Sequence, residues 1–228
     1  MNLITRLQKA RTCLVLDFPF FGHLALRLTP VIDPTVETAC TDGREIRFNP
    51  HFCGHLSDAQ LAWLYAHETA HPALGHLFRL AGYPLELANI AADYVVNEML
   101  DRVIRETPGA SNRLQRIPNT YLDERFFGMS AEQIIPLLNA QPGNQPGNQP
   151  GNQPGKPGGQ TVGTFTKPPS GKPGSGTPGG DGDPGGDLEQ EWKQAVAQAA
   201  TIARMQGRGR LPAAIENLIT ELFESKVT

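Results

Sequence analysis

The sequence predicts an α+β fold in which a small antiparallel sheet precedes two long helices, a disordered linker and a C-terminal helical segment. Two observations place the sheet and the first long helix. The dipeptide Asp42-Gly43 separates two short runs of strand-forming residues, which is a strong hairpin signal. Ser57 and Gln60 then form a capping box just before an apolar run with helical spacing.

Composition divides the 228 residues into three predicted parts. Residues 1–140 have the composition of a globular domain. Residues 141–187 are mostly Gly, Pro, Gln, Asn, Ser and Lys, beginning with tandem copies of QPGN. Such a tract has too little apolar surface to offset the entropy of ordering, so we expect a disordered linker. Residues 188–228 return to helical periodicity and predict a C-terminal helical segment.

The remaining elements of the globular part follow from local signals. Pro19 ends a first helix at 2–16, and the apolar alternation at 24–28 predicts a strand. Pro84 lies near the first turn of the second long helix, and Pro108-Gly109 lies beyond its end. The full prediction is a helix at 2–16, strands at 24–28, 38–40 and 45–48, and helices at 58–74, 84–105 and 130–138.

The motif H-E-x-x-H occupies the middle of the first long helix, as His67, Glu68 and His71. Residues four apart lie on one face of a helix, so both imidazoles can reach one metal ion. Glu68 can then reach a water bound to that ion, which is the zinc-peptidase arrangement. The structural alternative, a pair of buried core histidines, does not account for Glu68. The motif helix, the second long helix and the small sheet together make a zincin-like plan.

A catalytic zinc ion takes three protein ligands and one open position, and two residues compete for the third place. His76 lies nine residues after His67 and reaches the metal only if Gly75 ends the helix and turns the chain back. Asp93 lies in an apolar stretch of the second long helix, where burial is costly without a cation. We prefer Asp93 over His76 as the third ligand; the alternatives for Asp93 are a hydrogen bond to a ligating histidine or a position on a solvated face. Asn97, one turn further, shares its face and is expected to orient Asp93 or to bind substrate.

Charge and cysteine content exclude several classes of protein. The net charge of −3 and the lack of a basic cluster argue against a nucleic-acid or membrane-surface role. No secretory signal or membrane-length apolar run is present, so a cytoplasmic location is expected. Three scattered cysteines make no disulfide framework. The run His51–His55 has no second ligand cluster to complete a structural zinc site.

An ordered series of motifs resembles the bacterial and phage family described as "Putative metallopeptidase domain", usually followed by a von Willebrand factor A-like domain. The motifs span about residues 5–138 and are Pro19–Gly22, Thr41–Arg44, Phe48–Pro50, HETAHPALGHLFR, Ala91–Asn97 and Asp123–Glu132. The tail around Trp192 resembles the segment that precedes the second domain, which we expect to be missing because the chain stops at Thr228. The resemblance implies a zinc-dependent peptidase.

The leading hypothesis is a zinc metallopeptidase that cleaves protein or peptide substrates, with Glu68 as general base for a zinc-activated water. Hydrolysis of another amide uses the same chemistry. The rival hypothesis is a weakly active or inactive metal-binding interaction module, whose C-terminal helices recruit a separately encoded partner protein. Glu68 favours catalysis, because a purely structural metal site needs no general base.

Overall fold

The computed structural model of the protein describes residues 1–140, 160–166, 184–206 and 211–224. The mixed α+β character is confirmed, since the described residues form helices and one four-stranded sheet. Among the helices in these ranges, none has the length and apolarity needed to cross a bilayer.

Two helices open the chain, α1 at Leu3–Asp17 and α2 at Pro19–Ala25. The side-chain oxygen of Asn2 caps α1 by accepting a hydrogen bond from the Thr5 backbone N–H at 2.9 Å. Pro19 begins α2, where its missing N–H leaves no helical hydrogen bond unmade. The first predicted helix and its end before Pro19 are therefore confirmed.

The strand predicted at 24–28 was wrong, because α2 continues to Ala25 and the first strand, β1, spans Thr29–Ile32. A strand would bury Leu24, Leu26 and Leu28 on one face. The structure buries Leu24 and Leu28 but leaves Leu26 57% exposed. Leu24 lies in α2 and Leu28 in the turn after it, and the apolar alternation was too short to distinguish a strand from a helix and its end.

The sheet is mixed rather than antiparallel. Strands β2 (Ala39–Thr41) and β3 (Glu45–Phe48) form the predicted antiparallel hairpin, and Gly43 in its turn has a φ of 85° that favours glycine. Strand β1 is parallel to β3, and β4 (Thr164–Phe165) is parallel to β2, giving the order β1-β3-β2-β4. The antiparallel prediction was wrong for the outer strands, because neither follows its neighbour through a tight turn.

The motif helix, α4, spans Asp58–Ala73 and follows the short helix α3 at Pro50–Gly54. Its predicted capping box is confirmed. The Gln60 N–H donates to Ser57 Oγ at 3.1 Å, and the Ser57 N–H donates to Gln60 Oε1 at 2.9 Å. These bonds satisfy two backbone donors at the start of α4, which fixes where the helix begins.

Three further helices lie in the globular part; two of them, α6 and α7, agree closely with the predicted bounds, and the short α5 was not predicted. Helix α5 is short, at His76–Arg79, α6 is the second long helix, at Leu85–Glu106, and α7 spans Ala131–Asn139. Helix α4 packs against α1, α2 and α6. The contact between α4 and α6 brings the two predicted parts of the metal site together.

The helical prediction for residues 188–228 is confirmed where the tail is described, as α8 (Pro184–Gln206) and α9 (Ala213–Glu224). Helix α8 packs against α2 and α4, and α9 packs against α6. The apolar face of α8 is buried against the globular part through Leu188, Trp192, Ala195, Val196 and Ala199. This face is therefore part of the protein's own core.

Most of the tract predicted as a disordered linker, 141–187, lies outside the described residues. Residues 160–166 and 184–187 are described, and for them the prediction of disorder was wrong. The first run contains β4 and joins the sheet, and the second begins α8. The first run has β-branched and aromatic residues that favour strands. Val162 and Phe165 are buried, and this burial offsets the entropy cost of ordering the run.

Trp192→Ala is expected to destabilise the fold by about 3–5 kcal/mol, the usual result of truncating a buried tryptophan. Trp192 is 3% exposed, and its indole N–H donates to the Gly43 carbonyl oxygen at 2.9 Å. Urea unfolding followed by circular dichroism measures the change. Gln194→Ala, at an exposed position of the same helix, is the matched control. Equal unfolding midpoints for the two variants would contradict a stabilising role for α8.

Candidate metal centre

Three potential ligands converge where α4 and α6 pack together. His67 and His71 lie one turn apart on α4, and Asp93 faces them from α6. The two Nε2 atoms are 3.1 Å apart, and Asp93 Oδ1 lies 3.4 Å from His67 Nε2 and 3.5 Å from His71 Nε2. All three side chains are fully buried. Across the described ranges, this is the group of three that meets the geometry of a metal site.

The separations of these atoms fit a divalent metal ion. Ligands about 2.0–2.1 Å from a tetrahedral zinc ion lie about 3.3–3.4 Å from one another. The three measured distances are close to that value. Neither oxygen of Asp93 has a hydrogen-bond partner, and leaving a buried carboxylate without one is costly unless a cation lies beside it. The donor set therefore suits the ion that the sequence predicts.

Asn97 orients His67. Its Oδ1 lies 3.0 Å from His67 Nδ1, and its side-chain amide donates to the Tyr121 carbonyl oxygen at 2.7 Å. Since the amide N–H is used there, Oδ1 accepts the proton of His67 Nδ1, which leaves Nε2 free to ligate. Asn97 was expected to orient Asp93 or to bind substrate. The structure places it on the histidine instead, one turn along α6 from Asp93.

His76 lies outside the three-ligand group. Gly75 has a φ of 70°, the left-handed conformation needed to turn the chain after α4. The turn brings His76 Nδ1 to 3.2 Å from His71 Nδ1, on the side of that ring opposite Nε2. Burial, and less strongly the charge of Arg79, lowers the pKa of His76 to about 3. A neutral His76 can thus fix the orientation of His71 in the way that Asn97 fixes His67.

Glu68 is fully buried, and neither of its carboxylate oxygens has a hydrogen-bond partner. Burial, together with the negative charge of Asp93, raises the pKa of Glu68 well above its ordinary value. Burial also raises the pKa of Asp93, and it lowers that of His71 well below the usual histidine value, with His67 and His76 adding to the effect. A neutral imidazole is the form that binds metals. Two buried carboxyl groups without hydrogen-bond partners beside the neutral His71 imidazole are the pattern of a site built around a cation.

Sequence reasoning missed several residues that line this site. The Trp63 ring packs on His67, with 5.1 Å between ring centroids, and the Phe165 ring lies 5.4 Å from that of His71. Asn89 Oδ1 accepts a hydrogen bond from the Phe165 N–H at 2.8 Å. The spacing of Trp63 and His67, one helical turn apart, was a usable signal. The run TVGTFT at 161–166 was another, because strand-forming residues are rare in that tract.

The histidines of the run His51–His55 do not converge on a buried point as His67 and His71 do. The two histidines are exposed and pack against each other, with 4.9 Å between their ring centroids. Cys53 points into the core, and burial raises the pKa of its thiol to about 12. Within the described residues this run does not form a group with metal-ligand geometry, and all three cysteines are free thiols.

Comparison with known proteins gives one result. The family model described as "Putative metallopeptidase domain" matches residues 3–228, and so includes α8 and α9 as well as the candidate metal centre. No curated protein and no solved structure matches the chain significantly.

Proposed function

Because this chain belongs to the family described as "Putative metallopeptidase domain", we propose that it is a zinc-dependent peptidase. His67, His71 and Asp93 would hold the metal ion, and Glu68 would act as general base and then as general acid. Protein or peptide chains are the proposed substrates. A zincin-like fold is part of this proposal. It is supported by the way α4 and α6 pack together around the three proposed ligands.

One observation carries the proposal: two buried carboxyl groups without hydrogen-bond partners face two histidines at metal-ligand spacing. A purely structural site would be complete with His67, His71, Asp93 and one further ligand. Glu68 adds a second carboxylate, which a structural site does not need. Its burial is explained if its task is proton transfer beside the metal.

A bound divalent ion would supply a Lewis acid, which lowers the pKa of a bound water and polarises a peptide carbonyl. The protein supplies the proton transfers and the orientation. Glu68 accepts a proton from the attacking water and later gives it to the leaving amine nitrogen. Asn97 and His76 hold the two imidazole rings through their Nδ1 atoms, so that both Nε2 atoms face Asp93.

Zinc is the proposed metal because two imidazoles and one carboxylate are a common catalytic zinc ligand set. The same ligand types also bind other divalent transition metals. Neutral imidazoles suit zinc, copper and nickel better than magnesium or calcium, which take oxygen ligands.

The second candidate function is a metal-binding interaction module, and the complete burial of the site side chains favours it. His67, Glu68, His71 and Asp93 have no exposed surface in this conformation. A metal at such a site would stabilise the fold without meeting a substrate. Recruitment of a partner protein by the C-terminal helices is part of that candidate, and it would have to use the faces of α8 and α9 that do not pack on the core.

Peptide cleavage with and without metal separates the two candidates. The zinc-loaded protein should cleave a broad peptide pool, a chelator should abolish cleavage, and added zinc should restore it; mass spectrometry detects the products. A variant with His51→Ala and His55→Ala is the matched control, because it removes two histidines outside the site. Cleavage by the control but none by His71→Ala would support the peptidase. Tightly bound zinc without cleavage in any arm would favour the interaction module.

A further inference from the structure

Residues 160–166 form a short strap that is anchored to the globular part at both ends. At one end, the Gln160 N–H donates to the Asn119 carbonyl oxygen at 2.6 Å. At the other, β4 pairs with β2, and the Thr166 N–H donates to the Thr41 carbonyl oxygen at 2.9 Å. The strap thus adds a strand to the edge of β2, through main-chain hydrogen bonds that any extended peptide could make.

The middle of the strap lies directly against the candidate metal centre. A Cβ atom placed on Gly163 would overlap the Glu68 carboxylate and lie 2.8 Å from His67 Cδ2. Only glycine, which lacks a side chain, fits this close approach. The strap therefore contacts both the proposed general base and one proposed metal ligand.

Two residues further along, Phe165 covers the second ligand. Its ring centroid lies 5.4 Å from that of His71 and 6.2 Å from that of His76, and its side chain is 3% exposed. Asn89 Oδ1 accepts the Phe165 backbone N–H at 2.8 Å. This is a specific arrangement, in which an aromatic side chain fills an apolar space while a buried polar group binds the adjacent main chain.

A hydrolase needs its reacting groups to meet the substrate, and the strap lies over them. We propose that residues 160–166 occupy the groove in which the substrate binds, so that peptide substrates compete with the strap and cleavage by the wild type is slowed rather than abolished. Its contacts define the ligand class as an extended peptide with glycine opposite Glu68 and an aromatic residue two positions later. This inference rests on the proposed peptidase function for the substrate, but the blocking of the metal site is measurable without cleavage.

Gly163→Val in the full chain tests the blocking. The added side chain cannot fit against Glu68, so the strap should leave, and zinc transfer to an excess of a chromophoric chelator should become roughly 10–100-fold faster. Phe165→Ala removes the ring that covers His71 without adding atoms, and it should also make zinc transfer to the chelator faster. Thr166→Ala, at an exposed position of the strap, is the matched control and should match the wild type. Circular dichroism checks that each variant is folded.

A synthetic heptapeptide with the sequence of residues 160–166 tests the groove. Added to Gly163→Val, it should slow zinc loss again, whereas the same peptide with valine in place of its glycine should not. The inference is overturned if zinc loss is unchanged in both strap variants, if Thr166→Ala accelerates it equally, or if the glycine peptide gives no protection. A failure of the proposed peptidase function gives a different result. In that case the strap variants lose zinc faster and the glycine peptide slows this loss, yet no variant cleaves peptides.

Discussion

Glu68→Gln is expected to keep zinc and the fold while lowering peptide hydrolysis by roughly 10²–10⁴-fold, the usual contribution of a positioned general base. Glutamine has nearly the same shape as glutamate but cannot accept a proton from the attacking water. Glu68 lies one residue from His67 and has no hydrogen-bond partner that the change would break. Initial rates on a cleaved peptide, measured at matched zinc content, give the size of the effect.

The matched control for this change is Glu132→Gln. Glu132 pairs with Arg79 and lies on α7, outside the three-ligand group and Glu68. It should retain wild-type rates. Equal turnover by Glu68→Gln and the wild type would contradict the general-base role, whereas loss of zinc from Glu68→Gln would show that Glu68 binds the metal itself.

Asp93→Ala is expected to weaken zinc binding far more than His76→Ala. Asp93 supplies one of three converging ligand atoms, and its loss leaves two histidines, too few for a stable site. His76 and Asn97 contact the Nδ1 atoms of the ligating histidines, so that their loss should cost about 10–100-fold in affinity. Competition with a chromophoric chelator of known affinity ranks the zinc affinities of Asp93→Ala, His76→Ala and Asn97→Ala.

Asp101→Ala is the matched control for Asp93→Ala. It removes a carboxylate from the same helix, α6, where Asp101 pairs with Arg116 near the surface, 3.4 Å away. Its zinc affinity should equal that of the wild type. Unchanged affinity in Asp93→Ala, combined with loss in His76→Ala, would assign the third ligand to His76 and contradict the arrangement described above.

Local sequence signals predicted the two helices that build the site. The capping box at Ser57 and Gln60 fixes the start of α4, and helical spacing then places His67 and His71 on one face without any tertiary information. Asp93 was a candidate because its apolar surroundings make an unpaired carboxylate costly. The capping box and the spacing of the two histidines act within one helix, which is why the sequence alone suffices for them, whereas the position of Asp93 beside the histidines depends on the packing of α6 against α4.

Contacts between distant residues were not predictable in the same way. The bond from Asn97 to His67 spans 30 positions, and several polar partners on the same face of α6 were equally reasonable. The strap was hidden because the composition of residues 141–187 outweighed five strand-forming residues at 161–166. The strand expected at 24–28 failed because an alternation over five residues is too short to establish a strand, and the chain there leaves Leu26 exposed.

X-ray absorption at the zinc edge of the zinc-loaded protein tests the central claim most directly. With His67, His71 and Asp93 as ligands, the spectrum should show two imidazole nitrogens at about 2.0–2.1 Å and a carboxylate oxygen at about 2.0–2.2 Å. Asp93→Ala should bind little zinc, and any zinc that it retains should lack the carboxylate oxygen. A third imidazole around the metal, or a sulfur ligand at about 2.3 Å, would contradict the account.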